Sequence, residues 1–308
     1  MSLIAQTTHR LEELVRAGLV PSKERSSREP AAIEPPEELW PTVPMNWLAE
    51  RAETAESAPP EPPPPHGSTA PAIDVILDLA RLEQLGHLVP TQTRSPLAEQ
   101  FRHIKRPLLK NARSKDSIAN RLSLIMVTSA LPGEGKTFCA INLAMSLASE
   151  IDTSVLLVDA DVVRPASMQR MGLQAEKGLL DVLTDTSLDL SDLILRTNVP
   201  KLSILPAGPR NHRSTELLAS DAMNTLLLSL LSRYPDCIVI FDAPPLLVTN
   251  EATVLASLVG QVMLVVEASK TPRSAIAQAF AALEQCPIVM SVLNKAPEPA
   301  AGYGYYYG

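Results

Sequence analysis

From Leu122 to Asn294, short apolar runs take turns with segments whose apolar residues recur at three- and four-residue steps. Short runs suit buried strands, and the longer spacing suits helices with one buried face. The pattern predicts strands at Leu122–Thr128, Ser154–Asp159, Leu202–Leu205, Cys237–Asp242, Gln261–Glu267 and Ile288–Asn294. Helices are expected at Thr137–Ala148, Glu216–Ser232 and Arg273–Gln285. Such alternation gives an α/β fold with a doubly wound, mostly parallel sheet.

Upstream the pattern changes twice. Two helices are expected at Ala72–Leu88 and Pro96–Arg113, the second basic on one side and kinked or restarted at Pro107. Between Pro30 and Pro71 lie twelve of the 28 prolines, including Pro59–Pro65, which predicts extended, unpacked chain. Before it, Leu3, Leu11, Leu14 and Val15 share one side of a helical wheel that ends at Gly18 and Pro21. The expected organisation is an amphipathic helix (1–20), a Pro-rich disordered linker (21–71), a nucleotide-binding domain with its leading helices (72–295) and a tail (296–308).

Composition narrows the function classes. A formal charge of −7 gives no general attraction to nucleic acid or anionic lipid. Cys139, Cys237 and Cys286 are widely spaced and form no metal-ligand pattern, which suits buried thiols in a reducing compartment. No apolar run approaches the roughly 20 residues that span a bilayer, and the first residues mix charge with Leu, unlike a signal peptide. A cytoplasmic protein is expected, with recruitment to the inner membrane through a partner.

The chemistry is concentrated in Leu124–Thr137, LIMVTSALPGEGKT, an apolar strand running into a Gly-rich loop and then a helix. In that setting Gly133 and Gly135 let backbone N–H groups turn onto phosphate oxygens. Lys136 neutralises the outer phosphates, and Thr137 is placed to ligate Mg²⁺. Ala130 stands where the strict pattern has Gly. The expected nucleotide contacts are Pro132, Gly133, Glu134, Gly135, Lys136, Thr137 and Phe138. Asn294 is added as an adenine contact, because Pro297 replaces the acid that a guanine-reading Asn-Lys motif requires.

Two further strands end in acids: Asp159 and Asp161 in SVLLVDADVVRP, and Asp242 in CIVIFDAPP. In an open parallel sheet, ligands lie beyond the carboxyl ends of the strands, where these carboxylates and the loop would converge. Asp242 and Asp159, with Thr137, are the expected Mg²⁺ ligands. Asp159 or Asp161 is the expected proton acceptor, beside the catalytic Lys136. Four of the five tyrosines, Tyr303, Tyr305, Tyr306 and Tyr307, stand on a Gly-spaced end with no periodic apolar face, which predicts an accessible segment.

Taken together, the ALPGEGKT loop, DADVVRP, IVIFDAPP and GYGYYYG resemble the bacterial tyrosine kinases of exopolysaccharide systems over about residues 96–308. The start of the chain and SPLAEQFRHIKRPLL further resemble the soluble autokinases of exosortase-linked loci. The resemblance implies a P-loop NTPase fold, ATP and Mg²⁺, and phosphorylation of the tyrosine cluster between subunits of a ring. It also implies a membrane-bound polysaccharide chain-length or export protein as activating partner. Of the family's ring-building Glu-x-x-Arg-x-x-Arg helix, Glu99 and Arg102 match, while Lys105 takes the third position with Arg106 beside it. The alternative is a switch ATPase of the partitioning or division-site type. Such proteins carry a signature Lys where Leu131 stands, and they have no use for a tyrosine tail.

Overall fold

The computed structural model describes residues 74–91, 94–114, 121–185 and 187–297. The expected N-terminal helix and Pro-rich linker, and the four tail tyrosines, lie outside the described residues. The described residues include seven strands: β1 (Leu124–Ser129), β2 (Ser154–Asp159), β3 (Leu195–Arg196), β4 (Leu202–Leu205), β5 (Cys237–Asp242), β6 (Gln261–Glu267) and β7 (Ile288–Asn294). They form one sheet in the order β3-β4-β2-β5-β1-β6-β7. Every pairing is parallel except that of β3 with β4.

The central strands are mainly apolar and buried along nearly their whole length because both faces are covered. Along β1, Leu124 and Met126 join one core while Ile125 and Val127 join the other. In β5, Val239 and Phe241 face the first core, and Ile238 and Ile240 the second. Helices α1 (Leu79–Gln84), α2 (Pro96–Ala112) and α3 (Lys136–Ala148) cover the second face. The opposite face is covered by α5 (Leu179–Thr184), α7 (Ser214–Leu218), α8 (Asp221–Arg233), α9 (Asn250–Ala256) and α10 (Arg273–Ala282). The short α4 (Ser167–Arg170) and α6 (Leu190–Leu193) sit in connections.

Several expectations change. The helix expected at Ala72–Leu88 shrinks to α1, because the residues before it are held elsewhere. Asp74 and Val75 donate their backbone N–H groups to the Arg196 carbonyl, and Leu77 N donates to Asn198 Oδ1 at 2.8 Å. The helix then starts at Asp78, whose carboxylate accepts from Arg81 N, and gives way after Gln84 to a turn containing Gly86 at φ 78°. Pro107 does not interrupt α2. It faces solvent, so the carbonyl it leaves unbonded is not trapped, while Phe101, Leu108 and Leu109 stay buried. The single helix expected at Glu216–Ser232 is two, separated at Ser220, whose hydroxyl caps α8 at Met223 N.

Candidate active site

Strands β2, β5 and β1 are consecutive in the sheet, and this order brings the three motifs together. Asp159 and Asp242 are direct partners across the β2–β5 pairing, and Asp242 pairs with Val127 of β1, two residues before that strand ends. The loop after β1 turns at Gly133 (φ 86°) and Gly135 (φ 101°), conformations that favour glycine. A Cβ on Gly135 would also run into the Asn294 side chain. The loop then enters α3 at Lys136.

Lys136 Nζ lies 2.6 Å from Asp161 Oδ2 and 3.9 Å from Asp242 Oδ1. All three carboxylates are buried, Asp159 and Asp242 completely. Ser167 holds Asp159 Oδ2 through its hydroxyl (2.5 Å) and backbone N–H (3.2 Å). Asp159 Oδ1 and both Asp242 oxygens are buried without a hydrogen-bond partner among the described residues. Burial pushes the Asp242 carboxyl up to about 7 despite the nearby Lys136 ammonium, with Asp159 adding to the rise. The Asp159 carboxyl is also raised by burial, against the bonds from Ser167. One lysine facing three buried carboxylates leaves a deficit of positive charge. Unpartnered oxygens at a helix N-terminus with inward-turning glycines therefore fit a divalent cation and a phosphate chain.

A cleft of about 370 Å³ opens here. Pro132, Gly133, Gly135, Lys136, Thr137 and Asp161 form part of its lining; Asp159 and Asp242 lie behind them. Phe138 turns away to the core, where its ring stands 5.0 Å from His87. The Glu134 side chain turns into the loop and accepts from Leu131 N at 2.7 Å. Asn294 is not among the lining residues; its amide donates to the Glu134 carbonyl at 2.9 Å.

Sequence reasoning missed several residues here. Ser167 positions Asp159, Thr271 donates to Glu134, and Val163, Arg164, Arg170 and Val248 line the cleft. Arg164 and Arg170 follow closely on the acidic motif and could have been read from their proximity to it. Thr271 is far away in sequence and gave no signal.

On α2, Glu99 and Arg102 form an ion pair. Lys105 is turned inward at the carboxyl end of α3, where Nζ donates to the Ser146 carbonyl at 2.6 Å and meets Glu150 Oε1 at 2.7 Å. Arg106 is exposed.

Residues 123–286 match the family model described as an AAA domain. The chain is 32% identical over 219 residues to the tyrosine-protein kinase YwqD of Bacillus subtilis, an alignment covering 70% of this chain and 89% of that one. It is 31% identical over 223 residues to the putative tyrosine-protein kinase CapB of Staphylococcus aureus, covering 71% and 94%. Among solved structures, the chimerical protein CapA2B2 superposes with a TM-score of 0.57 at 25% identity, covering 71% of this chain and 93% of that one. The VpsO kinase domain superposes at 0.51 with 30% identity, covering 66% and 100%. With its phosphate loop and acidic strand ends assembled as described, the chain belongs to the bacterial tyrosine-protein kinase family.

Proposed function

We propose that this protein is an ATP-dependent autokinase that phosphorylates Tyr303, Tyr305, Tyr306 and Tyr307 of a neighbouring copy. The observation that carries the reading is the cleft floor. Lys136, at the end of the phosphate loop, and Asp161, just past β2, meet there at 2.6 Å. The likeness to tyrosine-protein kinases supports the choice of acceptor.

In this reading the backbone of Pro132–Phe138 cradles the phosphates of ATP, and Lys136 leaves Asp161 to neutralise them. Thr137, Asp159 and Asp242 would hold Mg²⁺, which supplies charge neutralisation to the phosphate chain. Asp161, the carboxylate on the cleft surface, accepts the phenolic proton. A tyrosine of pKa about 10 is mostly protonated at neutral pH, so a nearby carboxylate assists the transfer. The γ-phosphoryl bond of ATP breaks, a tyrosine O–P bond forms, and ADP leaves.

Glu99, Arg102 and Arg106 are the α2 side chains proposed to contact a neighbour in a ring, and Lys105 contributes by fixing α2 against α3. Four phosphotyrosines would add roughly −6 to −8 in charge, comparable with the whole chain's −7. That repulsion would loosen the ring and alter its interaction with membrane-bound polysaccharide machinery, so regulating exopolysaccharide synthesis or export. No described helix is long and apolar enough to cross a membrane, so inner-membrane recruitment is assigned to that partner. The test is intact mass after incubation with Mg·ATP. Mass steps of one phosphate are expected in the wild type and not in Lys136→Ala; ATP turnover on an unmodified chain would overturn the proposal.

A further inference from the structure

We infer that Arg164 and Arg170 form a subsite for the phosphate of an already modified tail tyrosine, so that each transfer makes the tail a better substrate for the next. The inference rests on the kinase reading above and adds an order to its reactions.

Both guanidinium-bearing residues are exposed, and both line the cleft that holds Lys136 and Asp161. Lys136 is matched by carboxylates. Neither arginine has an acidic partner among the described residues. They are carried by the segment that builds the acidic site. Arg164 N donates to Asp161 Oδ1 at 2.9 Å, and Arg170 ends α4, whose first residue, Ser167, holds Asp159. The same cleft presents exposed apolar side chains, Val163 and Val248, suited to a phenol ring.

The stretch Ala300–Gly308 carries no acidic or basic side chain. Unmodified, its side chains offer the arginines no anion. One phosphotyrosine changes that, adding about −1.5 to −2 in charge and three acceptor oxygens, the geometry a guanidinium binds bidentately. Tyr305, Tyr306 and Tyr307 are contiguous, and Tyr303 is two positions away from Tyr305. In extended chain, a modified tyrosine one or two positions from the acceptor sits about 3 to 7 Å along the backbone. That spacing lets one tyrosine occupy the cleft while its phosphorylated neighbour meets the arginines. Each turn still consumes one ATP, forms one tyrosine O–P bond and releases ADP and the phenolic proton.

The test follows the intact mass of the full chain over time with Mg·ATP, comparing wild type with Arg164→Gln, Arg170→Gln and Arg170→Lys. The readout is the rate of the second transfer relative to the first. In the Gln variants this ratio should fall about tenfold or more, the scale of losing one charge-assisted hydrogen bond, and singly phosphorylated protein should accumulate. Arg170→Lys should fall between. An unchanged ratio, including one in which both steps slow equally, would overturn the inference. A wild type that takes up no phosphate would instead sink the kinase reading, and this inference with it. As a check that leaves Arg164 and Arg170 in place, protein in which Tyr303, Tyr305, Tyr306 and Tyr307 are replaced by Phe is given synthetic Ala300–Gly308 with or without phosphate on Tyr306. A higher kcat/KM for the primed peptide is expected; an equal or lower one overturns the subsite.

Discussion

The Asn294 side-chain amide donates at 2.9 Å to the backbone carbonyl of Glu134, joining the last strand to the phosphate loop across 160 residues of sequence. The bond is one of a set. Lys295 Nζ donates to the Gly133 carbonyl at 2.7 Å and pairs with Glu267 at 3.1 Å, while the Thr271 hydroxyl donates to the Glu134 carboxylate. The loop is thus held from the ends of β6 and β7.

Loss of this clamp should loosen the nucleotide site without removing any phosphate-facing group. Asn294→Ala leaves the Glu134 carbonyl without this donor, at a cost of about 1–3 kcal/mol. The expected result is a higher KM for ATP with a smaller change in kcat, read from initial rates of phosphate incorporation. If Asn294 also contacts adenine, the KM for GTP should rise less than that for ATP.

Replacement of Asp161 by Asn keeps the shape of the cleft floor but removes the proposed proton acceptor and the charge that holds Lys136. Phosphate incorporation should fall by about a hundredfold or more. Binding of a fluorescent ATP analogue should be retained, because Lys136 then loses a competing anion. Weakened nucleotide binding with normal transfer at saturation would remove Asp161 from its assigned role.

His87 gives stability a dependence on pH. Burial holds its imidazole below the usual range, with the Arg170 charge adding to the effect and Asn142 opposing it. Its Nδ1 is buried without a hydrogen-bond partner among the described residues. The folded pKa lies below the unfolded value of about 6.5, so the unfolded chain binds the proton more readily. This contribution is complete above about pH 6.5 and is lost as pH falls through the folded value. Taken alone it lowers the melting temperature as pH falls below about 6.5, while the raised Asp242 carboxyl, which binds its proton more readily in the folded chain, acts in the opposite sense. His87→Phe should therefore raise the melting temperature at about pH 5 more than at about pH 7, relative to wild type, in calorimetric scans.

The strands and the phosphate loop were legible because their signals are local. Five predicted strands, from Ser154–Asp159 to Ile288–Asn294, have the observed bounds, and Asp159, Asp161 and Asp242 converge as the parallel topology requires. What escaped depends on distant partners. Segment 74–77 has helical spacing but is captured by Arg196 and Asn198, and the two-residue β3 is too short to leave a period. Lys105 reads as an exposed basic position on α2, yet the carbonyl of Ser146 and the Glu150 carboxylate draw it inward.

That inward lysine makes a further prediction. Lys105 supplies positive charge at the carboxyl end of α3, where unpaired carbonyls favour it. Lys105→Met keeps the buried stem but loses the charged donor, and should cost about 1–3 kcal/mol in urea unfolding. Arg106→Met, at an exposed position, should cost about 0.5 kcal/mol or less.

The most direct test of the central claim is a mixing experiment. Lys136→Ala protein with an intact tail is incubated with Mg·ATP and a catalytically intact partner whose four tail tyrosines are Phe, and the tail peptides are then weighed. The account predicts phosphate on Tyr303–Tyr307 of the Lys136→Ala protein only when the partner is present. ATP consumption with those tyrosines unmodified would contradict it.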